Sequence, residues 1–426
     1  MENNSKSVRL RLIIMNFLQF AIWGAYLTSM GNYLSSVGLS SNIGIFYSVQ
    51  GFVSIVMPAL VGIFADKVLA AQKTLGLCHG LAGIFMIAAA MYAQSAGDAV
   101  AFAPLFTLYT FSVAFYMPTI ALSNSVAYSI LERHGFDTVK DFPPIRVFGT
   151  VGFIVSMLFV NFMTDGNGVQ FQSSFNQFFV SGILGIILMA YSLTLPSCPV
   201  NKSASASLSD AFGLKAFALF KNRDMAVFFI FSMLLGVALQ ITNGYANPFI
   251  SSFKDIPEYA DTFGARNANA LISLSQISET LGILLIPFAM KKFGIKKVML
   301  IAMVAWVFRF GLFGLGNPGS GVWMFILSMI VYGVAFDFFN ISGSLYVNDM
   351  TSEDIRSSAQ GLFMLMTNGI GASIGMIGAQ IVVNHFVNDA ATPDWSSAWY
   401  VFALYSLVVA ILFAIIFRDP DKQKAK

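Results

Sequence analysis

Apolar runs of about 18 to 25 residues recur along this chain from end to end, and that is the length a helix needs to cross about 30 Å of hydrocarbon. Only 11% of its 426 residues are charged and 57% are hydrophobic, with a mean hydropathy of +0.72. A soluble domain carries about 25% charged residues, so this chain has too little polar surface to face water. It reads as a polytopic membrane protein. A segment in lipid must satisfy its own backbone hydrogen bonds, so runs of this length predict helices; a barrel would show short alternating segments instead. The expected fold class is all-α.

Breaks at Gly, Pro, Asn, Asp and Lys divide the runs into about twelve helices. Six lie near 9–35, 43–66, 74–95, 100–131, 143–164 and 172–195, and six near 224–251, 267–290, 297–316, 321–347, 357–386 and 397–418. The polar, Ser-rich stretch PSCPVNKSASASLSDAFGLKAFALFKNR separates the two sets. The expected organisation is an N-terminal bundle over 1–196, a cytoplasmic linker over 197–223 and a C-terminal bundle and tail over 224–426. The opening MENNSKSVRLRLIIMNFLQFAIWGAYL has too long an apolar stretch for a signal peptide and no A-x-A-like site after it, so it reads as the first span.

Charge placement tests this map. With both termini and the linker on one side, that side holds 20 of the 24 Lys and Arg, and the other holds two, Lys254 and Arg266. Such asymmetry predicts that the termini and linker are cytoplasmic. The net charge of +3 says little about partners; membrane lipid is expected around the chain and no nucleic acid. Cys78 and Cys198 belong to separate stretches, and no disulfide is expected.

The halves share weak internal symmetry. MPALVGIFADK (57–67) leaves the second helix and IPFAMKKFGIKK (286–297) leaves the eighth, each with a Pro ahead of a charged turn. GTVGF in the fifth helix has a Gly-rich counterpart, NGIGASIG, in the eleventh, where small residues let helices approach closely. Two six-helix halves about a midplane site is the architecture of the major facilitator superfamily. GIFADK resembles the start of that superfamily's loop motif through Gly62, Asp66 and Lys67, without the usual following Gly and basic pair.

Four formally charged residues fall deep within spans: Arg146, Glu279, Arg309 and Asp337. Each costs a few kcal/mol at the bilayer centre, which points to a lined cavity. Polar and aromatic neighbours follow at helical spacing: Arg146, Thr150 and Phe153; Gln240 and Asn243; Gln276 and Glu279; Tyr332 and Phe336 with Asp337 beside them. Taken singly, the amides also read as interhelical hydrogen-bond partners, the aromatics as packing, and Arg146 with an acid as a structural ion pair. Arg309 lies on the ninth helix, peripheral in this superfamily, and reads as structural or snorkelling. His79, His134 and His385 lie near helix ends or loops, and no constellation recruits them.

Together the stripes describe amides, a hydroxyl, aromatic faces, one Arg and two acids, a chemistry suited to a neutral, flat, polyhydroxylated solute. With Arg146 positive and both acids ionised the cavity carries −1, and one proton neutralises it. The expectation is proton symport with Asp337 or Glu279 as carrier, and no metal or cofactor besides the proton. The runner-up is a proton-coupled sugar symporter of the same superfamily. Drug antiport fits less well, because GTVGFIVSM lacks the Pro of the usual antiporter signature. A sensor would need an output domain, and an enzyme a nucleophile–base pair or metal ligands; no His/Cys/Asp cluster appears.

DFPPIRVFGTVGF (141–153), LFKNRDMAVFFIFSMLLG (219–236), LQITN (239–243), SQISETL (275–281), YGVAFDFFNISGS (332–344) and SAQGLF (358–363) closely resemble the bacterial nucleoside permeases, the nucleoside:H⁺ symporter family of the major facilitator superfamily. The resemblance runs nearly end to end. It implies proton-driven nucleoside import across the bacterial inner membrane by a chain expected to work as a monomer. It also carries the family's binding positions onto Arg146, Thr150, Phe153, Gln240, Asn243, Gln276, Glu279, Tyr332, Phe336 and Asp337. VALQITN and IALSNSVAYS look like the xanthosine-carrying member and SQISETL like the broad-specificity one, which leaves base preference open.

Overall fold

A computed structural model describes residues 2–198 and 214–418 of the chain. Most of the expected linker (199–213) and the tail past Arg418 lie outside the described residues, as do the side chains of Asp66 and Lys67. All twelve expected spans are helical. The first is broken, Glu2–Gly24 and then Met30–Ser36; the next five are Ile43–Lys67, Ala71–Ala96, Phe102–Arg133, Thr138–Phe162 and Asn176–Ser192. The seventh is also broken, Arg223–Leu239 and then Ile241–Ser252. The eighth and ninth run together as Ala268–Leu315, the tenth is Val322–Met350, and the twelfth is Trp395–Ile416. The eleventh passes from Glu353–Met364 through a π-helical segment, Leu365–Gly371, into Ala372–Val383.

Among the described residues nine helices are long and apolar enough to cross a membrane. The other spans fall short of that measure for local reasons. The first opens on polar residues, the sixth has 17 residues, and the eighth and ninth count as one. They divide at Gly294 in KKFGIKK, where φ is 75° and ψ is 171°. Only glycine enters that region without strain, so a single residue turns the chain between two spans.

The chain groups into two compact units, residues 1–39 with 52–212 and residues 40–51 with 213–426. The second helix is therefore shared between them, divided after Gly51. In the second unit, residues 40–51 join the eleventh helix by polar contacts: Ser48 and Ser373 each donate a hydroxyl to the other's carbonyl at 3.0 Å. The Gly44 amide donates to Gln380 Oε1 at 2.6 Å, and Gln380 Nε2 donates to the Ser40 carbonyl at 3.1 Å.

The same packing device appears in both units. In the first, Gly152 of the fifth helix lies against the backbone of the first, and an added Cβ would stand 2.8 Å from the Phe17 carbonyl carbon. In the second, Gly375 of the eleventh helix lies against the seventh, and a Cβ there would stand 2.5 Å from Val237 Cα. These are the two Gly-rich strings that the sequence pairs. Large apolar side chains such as Leu284, Phe288, Ile381 and Ile415 project outward, exposed by 65 to 75%; on a membrane protein that is the lipid face.

A glycine that touches backbone and one that touches nothing should respond oppositely to a methyl group. Gly152→Ala is expected to lower the thermal unfolding midpoint of the detergent-solubilised protein, by about 1–3 kcal/mol of overpacking. Gly378→Ala, with open space around it, should leave the midpoint unchanged or raise it through helix propensity, by up to about 1 kcal/mol.

Candidate functional site

In the first unit Arg146, Thr150 and Phe153 share one stripe of the fifth helix, with Arg146 and Thr150 half-buried and Phe153 buried. The Arg146 guanidinium stands 3.9 Å over the Phe20 ring, a cation–π contact that helps to orient it. Phe153 meets Trp23 edge-on, with centroids 6.2 Å apart at 88°, and Trp23 leans on Tyr116 at 6.0 Å.

Behind these rings lies a buried polar network. Thr119 Oγ1 donates to the Tyr116 carbonyl at 2.6 Å, so it accepts from Gln19 Nε2 at 2.8 Å. That fixes the amide: Gln19 Oε1 faces His79 Nε2 at 2.7 Å, and because Oε1 only accepts, His79 carries its proton on Nε2. The Tyr116 hydroxyl donates to the Gln19 carbonyl at 2.8 Å. Gln19, His79 and Thr119 are fully buried. The sequence reading gave His79 a place near a helix end and no partners; it lies inside the helix Ala71–Ala96 and is bonded across to the first helix.

In the second unit Gln240 occupies the break in the seventh helix, and Asn243 Nδ2 donates to Gln240 Oε1 at 2.9 Å. Gln276 and Glu279 lie half-buried on the eighth helix. On the tenth, Tyr332 is buried and stacks on half-buried Phe336, with centroids 5.5 Å apart at 21°. The eighth and tenth helices are held in register by Ser278, which donates to the Ile330 carbonyl and accepts from the Gly333 amide at 3.2 Å. Asp337 is 5% exposed, and its buried Oδ2 accepts no hydrogen bond.

Of the two roles that the sequence offers Arg309, structural or snorkelling, its setting matches the structural one. It does not snorkel: it is 2% exposed, inside the second unit, donating from Nη1 to the Ser328 carbonyl at 2.8 Å and to Ser275 Oγ at 3.3 Å. Its guanidinium stands 4.3 Å over the Tyr332 ring. Tyr332 is thus within electrostatic reach of Arg309, Glu279 and Asp337 together.

Comparison with known proteins decides the family. The family described as nucleoside H⁺ symporter matches residues 6–422. The xanthosine permease of Escherichia coli K12 is 46% identical, covering 98% of each chain. The nucleoside permease NupG of the same organism is 44% identical, over 97% of this chain and 96% of that one. The chain belongs to the nucleoside H⁺ symporter family. A crystal structure of NupG carrying an Asp-to-Ala substitution superimposes with a TM-score of 0.90 over 96% of this chain and all of that one, at 44% identity. The E. coli xylose transporter XylE, at 13% identity and a TM-score of 0.68 over 97% of this chain and 96% of that one, shares the fold alone.

As a nucleoside H⁺ symporter the chain is a transporter and not an enzyme, a multi-pass protein of the bacterial inner membrane with the major facilitator fold. Among the described residues no group of three or more His, Cys, Asp or Glu could hold a metal ion. Sequence reasoning missed Gln19, His79, Tyr116 and Thr119 because their spacing, 60 to 100 residues, exceeds any helical period. The one available signal was the presence of Gln19 and His79 inside apolar spans.

The network makes a stability prediction for this symporter. Gln19→Ala strands the His79 N–H and leaves Thr119 without its donor, in a fully buried place. It is expected to cost about 1–3 kcal/mol, seen as a lower thermal midpoint in detergent, whereas Gln19→Glu keeps an oxygen for His79 and should lose less.

Proposed function

We propose that this symporter imports purine and pyrimidine nucleosides, xanthosine included, one or more protons entering with each solute by alternating access. The substrate-binding residues of this reading are Arg146, Thr150, Phe153, Gln240, Asn243, Gln276, Glu279, Tyr332, Phe336 and Asp337. Ribose hydroxyls and base edges meet the amides, Thr150, Arg146 and the carboxylates, and the rings of Phe153, Tyr332 and Phe336 pack on the flat base. Glu279 or Asp337 takes the proton. The chain works as a monomer in lipid with its termini and linker cytoplasmic, and it requires no cofactor besides the coupling proton.

The observation that carries this reading is Asp337, 5% exposed with an oxygen that accepts no hydrogen bond. An ionised carboxylate so placed lacks the partners that buried charges require. A protonated one carries no charge at all, so proton binding and release is the natural role of the group. Each charge moving through 100 mV gains about 2.3 kcal/mol, enough for about fifty-fold accumulation of a neutral solute.

Radiolabelled uridine, adenosine and xanthosine uptake into proteoliposomes, with and without an imposed pH gradient, tests it. Uphill uptake should require the gradient and be blocked by excess nucleoside, not by glucose, lactose or xylose; competition by sugar alone would favour the sugar symporter. Asp337→Asn and Glu279→Gln are each measured for accumulation and for exchange at equal pH. At least one variant should accumulate nothing beyond equilibrium, and full uphill uptake by both would overturn the proton role.

A further inference from the structure

The one intramembrane charge that the functional reading leaves without a task is Arg309. A lone guanidinium in the bilayer is costly, and such groups normally reach for the interface along their stems. Arg309 instead turns inward. Nη1 holds the Ser328 carbonyl and Ser275 Oγ, the Ser328 hydroxyl donates back to the Arg309 carbonyl at 2.8 Å, and Nε is buried with no hydrogen-bond partner. Ser275 is one residue before Gln276, and Ser328 is one helical turn before Tyr332. The cation is thus tied to the two helices that carry both acids.

Its charge is directed at an aromatic stack. The guanidinium lies 4.3 Å over Tyr332, closer than to Phe313 at 5.4 Å or Trp306 at 6.0 Å. Tyr332 stacks in turn on Phe336 and meets Trp306 edge-on at 5.9 Å. The charged and titratable groups acting on Tyr332 are Glu279 from the eighth helix, Arg309 from the ninth and Asp337 from its own. The twelfth helix presents Trp399 and Phe402 to the neighbouring Phe310, so it adds apolar rings on that side.

We propose that Arg309 is a positioning residue of proton coupling: a fixed internal cation that balances one of the two carboxylates across the Tyr332 ring and holds that ring for the substrate. The charge count then closes within the second unit. Arg309, Glu279 and Asp337 sum to −1 when both acids are ionised, and one proton brings the group to neutrality. Arg146 is no longer needed for that balance and serves the substrate.

The proposal rests on the proton-coupled reading above, and the two are separated by measuring the unaltered protein first. If that protein shows no gradient-driven nucleoside uptake, the functional reading fails. If it does, Arg309→Met and Arg309→Lys are compared with it for driven uptake, exchange at equal pH, and the pH profile of exchange. Methionine fills the space without charge. Its variant should lose tenfold or more of driven uptake while exchange falls less than about threefold, and its pH profile should move to higher pH, because the acids now lose their balancing cation. Lysine, keeping the charge, should restore the profile. If Arg309→Met does not fold, the Lys variant carries the test through its pH midpoint, which should stay at the parental value, while a shift as large as that of a neutral residue counts against the charge role. An Arg309→Met profile identical to the parent's, or equal behaviour of the Met and Lys variants, would overturn the proposal and leave Arg309 as packing.

Discussion

The bilayer offers no water to a stranded polar group, and most of this molecule follows from that. Backbone pairing within each span makes the protein all-helical. The same scarcity makes each internal charge informative, since an Arg or Asp at the centre of a span costs about 2.5–3.5 kcal/mol even by insertion scales. Four such charges survive in the chain, and the structure gives each a distinct setting: Arg146 over Phe20, Arg309 over Tyr332, Asp337 buried with an unbonded oxygen, and Glu279 one residue past the serine that joins the eighth and tenth helices.

Lipid also removes the hydrophobic drive for helices to associate, so association depends on close contact. The glycines of GTVGF and NGIGASIG supply it. Each brings its helix against the backbone of the helix four spans earlier in its own half: fifth on first, eleventh on seventh. Helices held this closely can carry polar side chains in fixed positions, which is how Thr150 and Phe153 come to stand beside the Gly152 contact.

Much of this was legible from the sequence, for a physical reason. Span length is set by bilayer thickness, so twelve runs of apolar residues translate directly into twelve helices. The candidate stripes were legible because helical period places Arg146, Thr150 and Phe153 on one face whatever surrounds them. Helix breaks were not. Gln240 interrupts the seventh helix with no glycine or proline at the break itself, and the turn after Gly24 lies within an unbroken apolar run. Nor was the depth of Arg309, because hydropathy counts residues along one helix and cannot see Ser328 and Tyr332 waiting on another. The Gln19–His79 network was hidden for the same reason, its bonds linking the first, third and fourth helices.

The two units use one construction for different chemistry. Each has a broken leading helix, the first and the seventh, packed through glycine on the fifth or eleventh. A break frees backbone groups and redirects side chains, which is where transporters of this kind place their binding residues. In the first unit the residues beside that construction are a cation, a hydroxyl and aromatic rings, backed by a buried hydrogen-bonded network with His79 held in one tautomer. Such a surface is rigid and keeps its charge. In the second unit they are amides and two acids, one with an unbonded oxygen, beside a π-helical turn. That surface has protonation states to exchange. One construction thus carries two chemistries: a cation among aromatic rings in the first unit, and amides with two carboxyl groups in the second.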